Sequence, residues 1–301
     1  APYFSPGKVE GWEPKVRALA ASLVDSLVDR GECDFVADFA LRYPTAIFLQ
    51  VFGLPGDQLD NFLKWESAIL HPEGPDPVEN RRVAIEAQTA VTVYFTQMIA
   101  ELRAMAPEDR PVGIATDALD WQINGRAVSD DELIQFYLLM FMAGLDTVTS
   151  ELAYGMYHLA RHPEHRQQLL DDPSLASSVT EELLRFYPIV NPSRQASQAT
   201  EIAGCPIKPG DFLIMSLPSA GRDEAQYENA GEVDFHRPMT SHLTFGVGPH
   251  RCLGSHLARE ELTIAYEEWH KRIPNYWVDE RPMEATAGMM ALNSLTLKWH
   301  Q

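Results

Sequence analysis

Cysteine is scarce in this chain: three among 301 residues, an odd number and widely spaced. No disulfide framework is built that way. The three suit a reducing compartment, so a cytoplasmic location is expected. Basic residues are scarce as well. Lysine and arginine total 24 against 43 acidic residues, a net charge of −19. Such a chain repels phosphate backbones, which argues against sequence-independent nucleic-acid binding. Long apolar runs are missing. The most apolar stretch, 133–143, is interrupted by Gln135 and falls short of the roughly 20 apolar residues that a bilayer requires. No membrane span, signal-peptide pattern, internal repeat or low-complexity tract is read. With 45% hydrophobic and 22% charged residues, what remains is neither disordered nor collagen-like.

Helical patterns dominate the first half. Residues 12–30 carry apolar positions at helical spacing and stop at Gly31. Residues 57–70 and 83–105 repeat the pattern around a breaker-rich loop at 71–77. Asn124-Gly125 marks a tight turn between two short extended pieces. Ser129 followed by Glu132 has the spacing of a capping box. From there a helix is expected without interruption to Pro163, about nine turns at 3.6 residues each. Its middle, Leu138 to Met142 by position, is apolar all round, which predicts burial on every side. Helices are expected at 163–170, 174–186 and 254–272, short strands within 187–250, and a hairpin arm at 291–299. The fold class read from this is mainly α with a minor β part, in a single domain over 1–301.

The most informative stretch is Phe245-Gly246-Val247-Gly248-Pro249-His250-Arg251-Cys252-Leu253-Gly254. Its glycines let the backbone turn sharply and approach a flat ligand. Cys252 is expected at the N-terminus of the next helix, where amides and dipole favour a thiolate. The Leu253 and Gly254 amides are placed to bond the sulfur and tune its electron donation. A single thiolate so placed suits an axial haem ligand. A zinc site fails, because no second cysteine or close histidine completes four ligands. Cys33 and Cys205 lack such flanks and read as small core residues.

At every fixed position this stretch resembles the haem-binding loop of the cytochrome P-450 family, Phe-Gly-x-Gly-x-His-x-Cys-x-Gly. The resemblance implies a cytochrome P-450 fold with a long central helix, and heme b (iron protoporphyrin IX) as cofactor. Cys252 is then the proximal ligand of the haem iron. His250 bonds a haem propionate, Phe245 packs beside the sulfur, and Gly246 belongs to the cofactor loop. Glu182 and Arg185 sit three apart on one helical face. By themselves they read as a solvated bridge worth at most about 0.5 kcal/mol. In the family such a pair forms a buried network with an arginine before the cysteine loop, here Arg237. Arg194 matches the position that pairs a second propionate.

Ala143-Gly144-Leu145-Asp146-Thr147 sits mid-helix. The plain reading is a threonine bonded back to the carbonyl one turn earlier, with Asp146 in a salt bridge. The resemblance implies an oxygen-activation site instead. Small residues at 143 and 144 leave a groove for dioxygen, Thr147 positions activated oxygen and water, and Asp146 relays protons. The implied substrate pocket includes Leu139, Met142, Ala143, Ile189, Val190, and Met289 or Met290. Its apolar lining fits a small hydrophobic substrate such as a terpenoid or an aromatic, under a lid at 71–77.

His250, Arg251, His256 and Arg259 surround the cysteine and would attract an acidic electron donor. In the soluble bacterial, camphor hydroxylase-like group, which residues 241–246 resemble most, the donor is a ferredoxin. The family's N-terminal helices and strands are expected to be missing from this chain. The expected function is a haem-thiolate monooxygenase. The alternative is a non-catalytic haem-binding fragment, inactive for lack of the N-terminal part. A peroxide-driven enzyme is disfavoured by the acid–alcohol pair, and a di-iron site by the lone Glu267-x-x-His270 motif.

Overall fold

The computed structural model describes residues 2–72, 74–238, 241–282, 284–286 and 289–300. Helices come first: α1 (Pro6–Glu10), α2 (Glu13–Asp25), α3 (Arg42–Phe52), α4 (Leu59–Leu70), α5 (Pro77–Ala104) and α6 (Ile114–Ala118). Then follow α7 (Asp130–Gly144), α8 (Asp146–Arg161), α9 (Pro163–Asp171), α10 (Ala176–Phe186), α11 (Leu217–Gly221) and α12 (Ser255–Arg272). The strands are short: β1 (Glu32–Asp34), β2 (Gln122–Ile123), β3 (Arg126–Ala127), β4 (Ser193–Gln195), β5 (Thr200–Ile202) and β6 (Cys205–Ile207). The rest are β7 (Phe212–Ile214), β8 (Tyr276–Trp277), β9 (Glu284–Thr286), β10 (Met290–Leu292) and β11 (Thr296–Trp299).

Local chemistry sets several boundaries. The Ser129 hydroxyl accepts the Glu132 amide at 3.3 Å while the Glu132 carboxylate accepts the Ser129 amide at 2.9 Å, so α7 begins with a complete capping box. Asp76 caps α5 through the Val78 and Glu79 amides. With Pro77 preset for the first turn, α5 starts six residues earlier than its apolar pattern shows. Asn124 (φ 52°) and Gly125 (φ 77°) turn β2 into β3 with both residues left-handed, the geometry of a tight hairpin.

The expected uninterrupted central helix is two helices, α7 and α8, broken at Leu145 (φ −105°, ψ −70°). The Thr147 hydroxyl donates to the Ala143 carbonyl at 3.0 Å, and the Thr149 hydroxyl to those of Ala40 and Leu145 at 2.8 and 3.2 Å. Side-chain hydroxyls that take helix carbonyls bend or interrupt the ladder. Nor is the run buried on every side: Leu139 is 63% exposed and Ala143 is exposed too. By length and composition Asp130–Arg161 passes for a membrane span, contrary to the reading from 133–143. Half of its most apolar window is buried in the protein, as in a core helix. The C-terminal arm is not a hairpin. Strand β10 pairs with β9, while β11 lies between β1 and β8, all antiparallel.

The chain packs as two compact units, Ala1–Leu23 with Val36–Thr149, and Val24–Phe35 with Ser150–Gln301. In the first, α4, α5 and α7 meet around Phe62, whose ring lies 5.5 Å from Phe141 and 6.3 Å from Phe95, edge to face. Such pairs add about 0.5–1.5 kcal/mol to area burial. In the second, Trp269 of α12 is fully buried against Phe35, Tyr276 and Trp299. There α8 lets α12 in at Gly155: a Cβ at that position would lie 2.0 Å from the Tyr266 hydroxyl.

Candidate functional site

The cysteine loop belongs to the second unit. Gly246 (φ 67°) and Gly248 (φ 72°) are both left-handed, a conformation glycine adopts without strain. They fold the chain back so that the Cys252 amide donates to the Phe245 carbonyl at 2.8 Å. Gly254 is the N-cap of α12, so Cys252 stands two residues ahead of the helix cap. Cys252 reaches the surface, yet the protein crowded around its sulfur raises the thiol pKa. The Gly254 amide, which bonds the sulfur, pulls the other way, as do the charges of Arg259 and Arg251. His250 and Arg251 are exposed beside it. A cavity of about 450 Å³ opens alongside, lined by Phe245, Gly246, Val247 and Arg251 among others.

Two anchors hold this loop. Glu182 receives Arg185 twice, at 2.6 and 2.8 Å, and Arg237 at 3.1 and 3.2 Å. Arg185 is 2% exposed, Glu182 5%. The Asp234 amide also donates to Glu182 at 2.9 Å, and Arg185 donates to the carbonyls of Ala230 and Glu232 at 3.0 and 2.8 Å. Every arm of both charges is thus engaged, the condition under which burying them is tolerable. The pair is no solvated surface bridge.

The second anchor escaped sequence reasoning. Glu181 accepts from His242 at 3.1 Å and from both the Nε and Nη2 of Arg259. Burial acts to raise its pKa, but these two partners hold it at about 2. Arg259 also lies 4.5 Å from the centre of the Phe245 ring. Arg259 is therefore committed to the loop, and the exposed basic patch reduces to His250 and Arg251, with His256 half-buried. The Glu-Glu doublet ahead of Arg185 was the available signal.

Arg194 is exposed on β4, its guanidinium donating to the Ser193 carbonyl at 2.8 Å. Val190 and Met289 form a β-bridge, and the Met290 amide donates to the Ile189 carbonyl at 2.8 Å. Val190, Met289 and Met290 are half-buried. Ile189 is 2% exposed. Cys205, expected in the core, is exposed on β6.

The first unit carries the acid–alcohol pair. Successive helix residues turn by 100°, and the two small residues face different ways. Ala143 is on the open stripe with Leu139, whereas a Cβ on Gly144 would meet the Phe48 ring at 3.4 Å. Gly144 thus packs against α3. Met142 is half-buried. Thr147 makes the back-bond described above. Asp146 is 2% exposed, and one of its oxygens lies 3.0 Å from His71 Nε2. His71 ends α4 and opens the loop at 71–77, of which residue 73 lies outside the described residues. The hydrogen bond to Asp146, opposed by burial and helped by the Asp146 charge, raises the His71 pKa.

Glu66, one turn earlier on α4, was not singled out from sequence. It is 1% exposed, and neither carboxyl oxygen has a hydrogen-bond partner. The nearby Thr45 hydroxyl donates to the Leu41 carbonyl at 2.6 Å. Burial, then the Asp146 charge, pushes the Glu66 pKa well above the carboxylate range. The second Asp146 oxygen is likewise buried without a partner. Burial thus favours the protonated form of Glu66, which stands within electrostatic reach of the Asp146 side chain.

These residues fit a haem. One sulfur moderated by a backbone amide is the donor set of an axial thiolate. Among the described residues no further His, Cys, Asp or Glu groups with it as a metal cluster. Leu243, Val247 and Leu253 around it are 42–70% exposed, apolar surface that a flat ligand would cover.

A family model described as Cytochrome P450 matches residues 64–268. The probable cytochrome P450 127A1 of Sinorhizobium fredii is 33% identical over 301 residues, covering 99% of this chain and 70% of the relative. The mycinamicin IV hydroxylase/epoxidase of Micromonospora griseorubida is 32% identical over 300 residues, 98% and 74% of the two chains. The solved structure of the bacillaene polyketide synthase cytochrome P450 PksS of Bacillus subtilis 168 superposes with a TM-score of 0.92. It is 25% identical, with 100% of this chain and 77% of that one covered. By sequence along nearly its whole length and by fold, the chain belongs to the cytochrome P450 family and is a monooxygenase with heme b as its cofactor.

Proposed function

We propose that the chain, working as one haem-binding domain, hydroxylates a small hydrophobic substrate with one atom of dioxygen, taking electrons from a ferredoxin. The observation that carries this reading is Cys252, a single sulfur in a glycine-shaped loop with the Gly254 amide bonded to it. When bound, the haem supplies the activation of dioxygen. The chain's own residues do the rest. Cys252 would hold the iron, while His250 and Arg194 offer charge-assisted bonds to the propionates. Phe245, held under Arg259, would pack beside the sulfur.

Thr147 spends its hydroxyl proton on the Ala143 carbonyl. Its oxygen still accepts a hydrogen bond, so it can orient a water molecule. Asp146 has one oxygen on His71 and one uncommitted, and it can take and release a proton at that second oxygen. The residues assigned to the substrate, Leu139, Met142, Val190, Met289 and Met290, are all apolar and carry no charge. This favours a terpenoid or aromatic substrate. Residues 241–246 support a relation to the camphor hydroxylase-like group, whose donor is a ferredoxin, and exposed Arg251 supports an acidic donor.

The test is the absorption spectrum of the dithionite-reduced protein under carbon monoxide, followed by turnover with a ferredoxin and its reductase. A strongly red-shifted Soret band that moves to the position of histidine-ligated haem in Cys252→His is expected. The same band in both proteins would overturn the assignment of Cys252.

A further inference from the structure

We propose that His162, Glu164 and His165 form a binding site for a divalent transition-metal ion of the zinc class, separate from the haem. One ring nitrogen from each histidine and one Glu164 oxygen lie within 4.8 Å of one another. Among the described residues no other three His, Cys, Asp or Glu side chains come so close. In a tetrahedral zinc site, bonds of about 2.0–2.2 Å put ligand atoms roughly 3.3–3.5 Å apart. Side-chain rotation closes that gap, because Glu164 is exposed and both histidines are half-buried. His162 is the N-cap of α9 and Pro163 opens it, so all three ligands leave from a single turn.

Behind the ligands stands a supporting chain. His158, in the last turn of α8, is 3% exposed. Its Nε2 lies 2.8 Å from His165 Nδ1, and its Nδ1 lies 2.9 Å from the Tyr187 hydroxyl. A hydrogen bond at one ring nitrogen is what fixes a ligand histidine so that the other nitrogen faces the ion. When His158 donates from Nδ1 to Tyr187, its Nε2 accepts from His165 Nδ1, and His165 Nε2 keeps its lone pair. Metal binding selects that direction of the relay. The three rings lie nearly parallel, those of His162 and His165 centred 4.4 and 5.1 Å from that of His158.

Binding takes the ligand histidines in their neutral form. The C-terminal end of α8 favours a cation, and the N-terminal end of α9 opposes it. Glu164 and Asp234, both acting on His165, tip the balance towards a cation. Two nitrogens and one carboxylate are the donors of zinc and its neighbours, not of calcium or magnesium. The remaining positions go to water, and the ion pins α9 to the end of α8.

The test is calorimetric titration of the tag-free, haem-loaded full chain, stripped with a chelator, with zinc sulfate at about pH 7.5 in a Cys205→Ser background. One saturable equivalent is expected, together with a rise in the thermal midpoint. Glu164→Gln and His165→Gln should each weaken binding tenfold or more, and Tyr187→Phe about tenfold through the lost support. The haem absorption band reports that each variant is folded. Glu164 is exposed, so its variant carries the result if His165→Gln does not fold. No saturable binding, or binding undiminished in Glu164→Gln, would overturn the proposal.

Discussion

Glu66 and His71 both titrate against Asp146, and both make the first unit prefer lower pH. The Glu66 pKa is raised in the folded chain, so the unfolded chain ionises first. As pH rises above the ordinary carboxylate value, unfolding releases a proton that the fold retains, and stability falls until the folded pKa is passed. His71 is raised too. Its pair with Asp146 contributes fully below the unfolded histidine value and is lost as pH climbs through the folded one. Glu66→Gln removes the first of these effects. Relative to the parent, the variant should gain about 1–3 kcal/mol between about pH 5 and pH 8, measured as urea midpoints across that range. A difference that does not change with pH would mean that Glu66 ionises in the fold as it does in the unfolded chain. Neither residue was legible in sequence. A single acid on an amphipathic helix and a histidine beside a proline-rich loop look like solvated side chains until Asp146 of α8 is placed against them.

At the scale of elements, the loop that carries Cys252 is positioned by α10 through two adjacent acids, Glu181 and Glu182, each holding a different part of the approach to the cysteine. Arg185→Ala leaves Glu182 buried with only Arg237 to meet its charge. A loss of about 3–5 kcal/mol is expected in denaturant unfolding, with haem released earlier in the transition. Arg185→Lys should not restore it, because one ammonium cannot reproduce the paired bonds of a guanidinium. A loss within about 0.5 kcal/mol would show that the network is dispensable.

Those elements whose ends depend on nearby residues were readable. The Ser129 box and the Asn124-Gly125 turn are written in two to four consecutive residues, whereas the helix expected over 12–30 ends at Asp25 and Gly31 closes a separate short turn, Val28–Arg30. The break at Leu145 was not readable, because the bond from the Thr149 hydroxyl to the Ala40 carbonyl beside it joins residues 109 apart in sequence. Nor was the pairing of β11, whose partners lie far away in sequence. The cysteine loop was legible because its glycines, histidine and cysteine form one contiguous pattern. Its Glu181 anchor is assembled from three separate stretches and was not.

For the molecule as a whole, a net charge of −19 repels an acidic donor, while exposed His250 and Arg251 attract one locally. At physiological ionic strength the screening length is about 8 Å, so the local charge governs encounter. Arg251→Glu should slow reduction by the proposed ferredoxin donor several-fold at that ionic strength, and the difference should vanish in about 1 M salt. Stopped-flow reduction kinetics would show this. Equal rates at all salt concentrations would mean that the donor docks elsewhere.

The sheet in which β11 joins β1 and β8 also bears on how the protein is made. Asp34 accepts the amide of Leu295, 261 residues further on, and the Trp299 indole donates to the Val28 carbonyl across 271. On the ribosome, β1 emerges early and waits while almost all of the chain described here is synthesised, about 15–50 s at 5–20 residues per second. During that interval its backbone cannot pair with β11, and Phe35 cannot meet the Trp269 ring. Closing so long a loop comes late and slowly. The second unit is therefore completed only once β11 has been made, and a nascent chain stalled before residue 295 would be a substrate for chaperones.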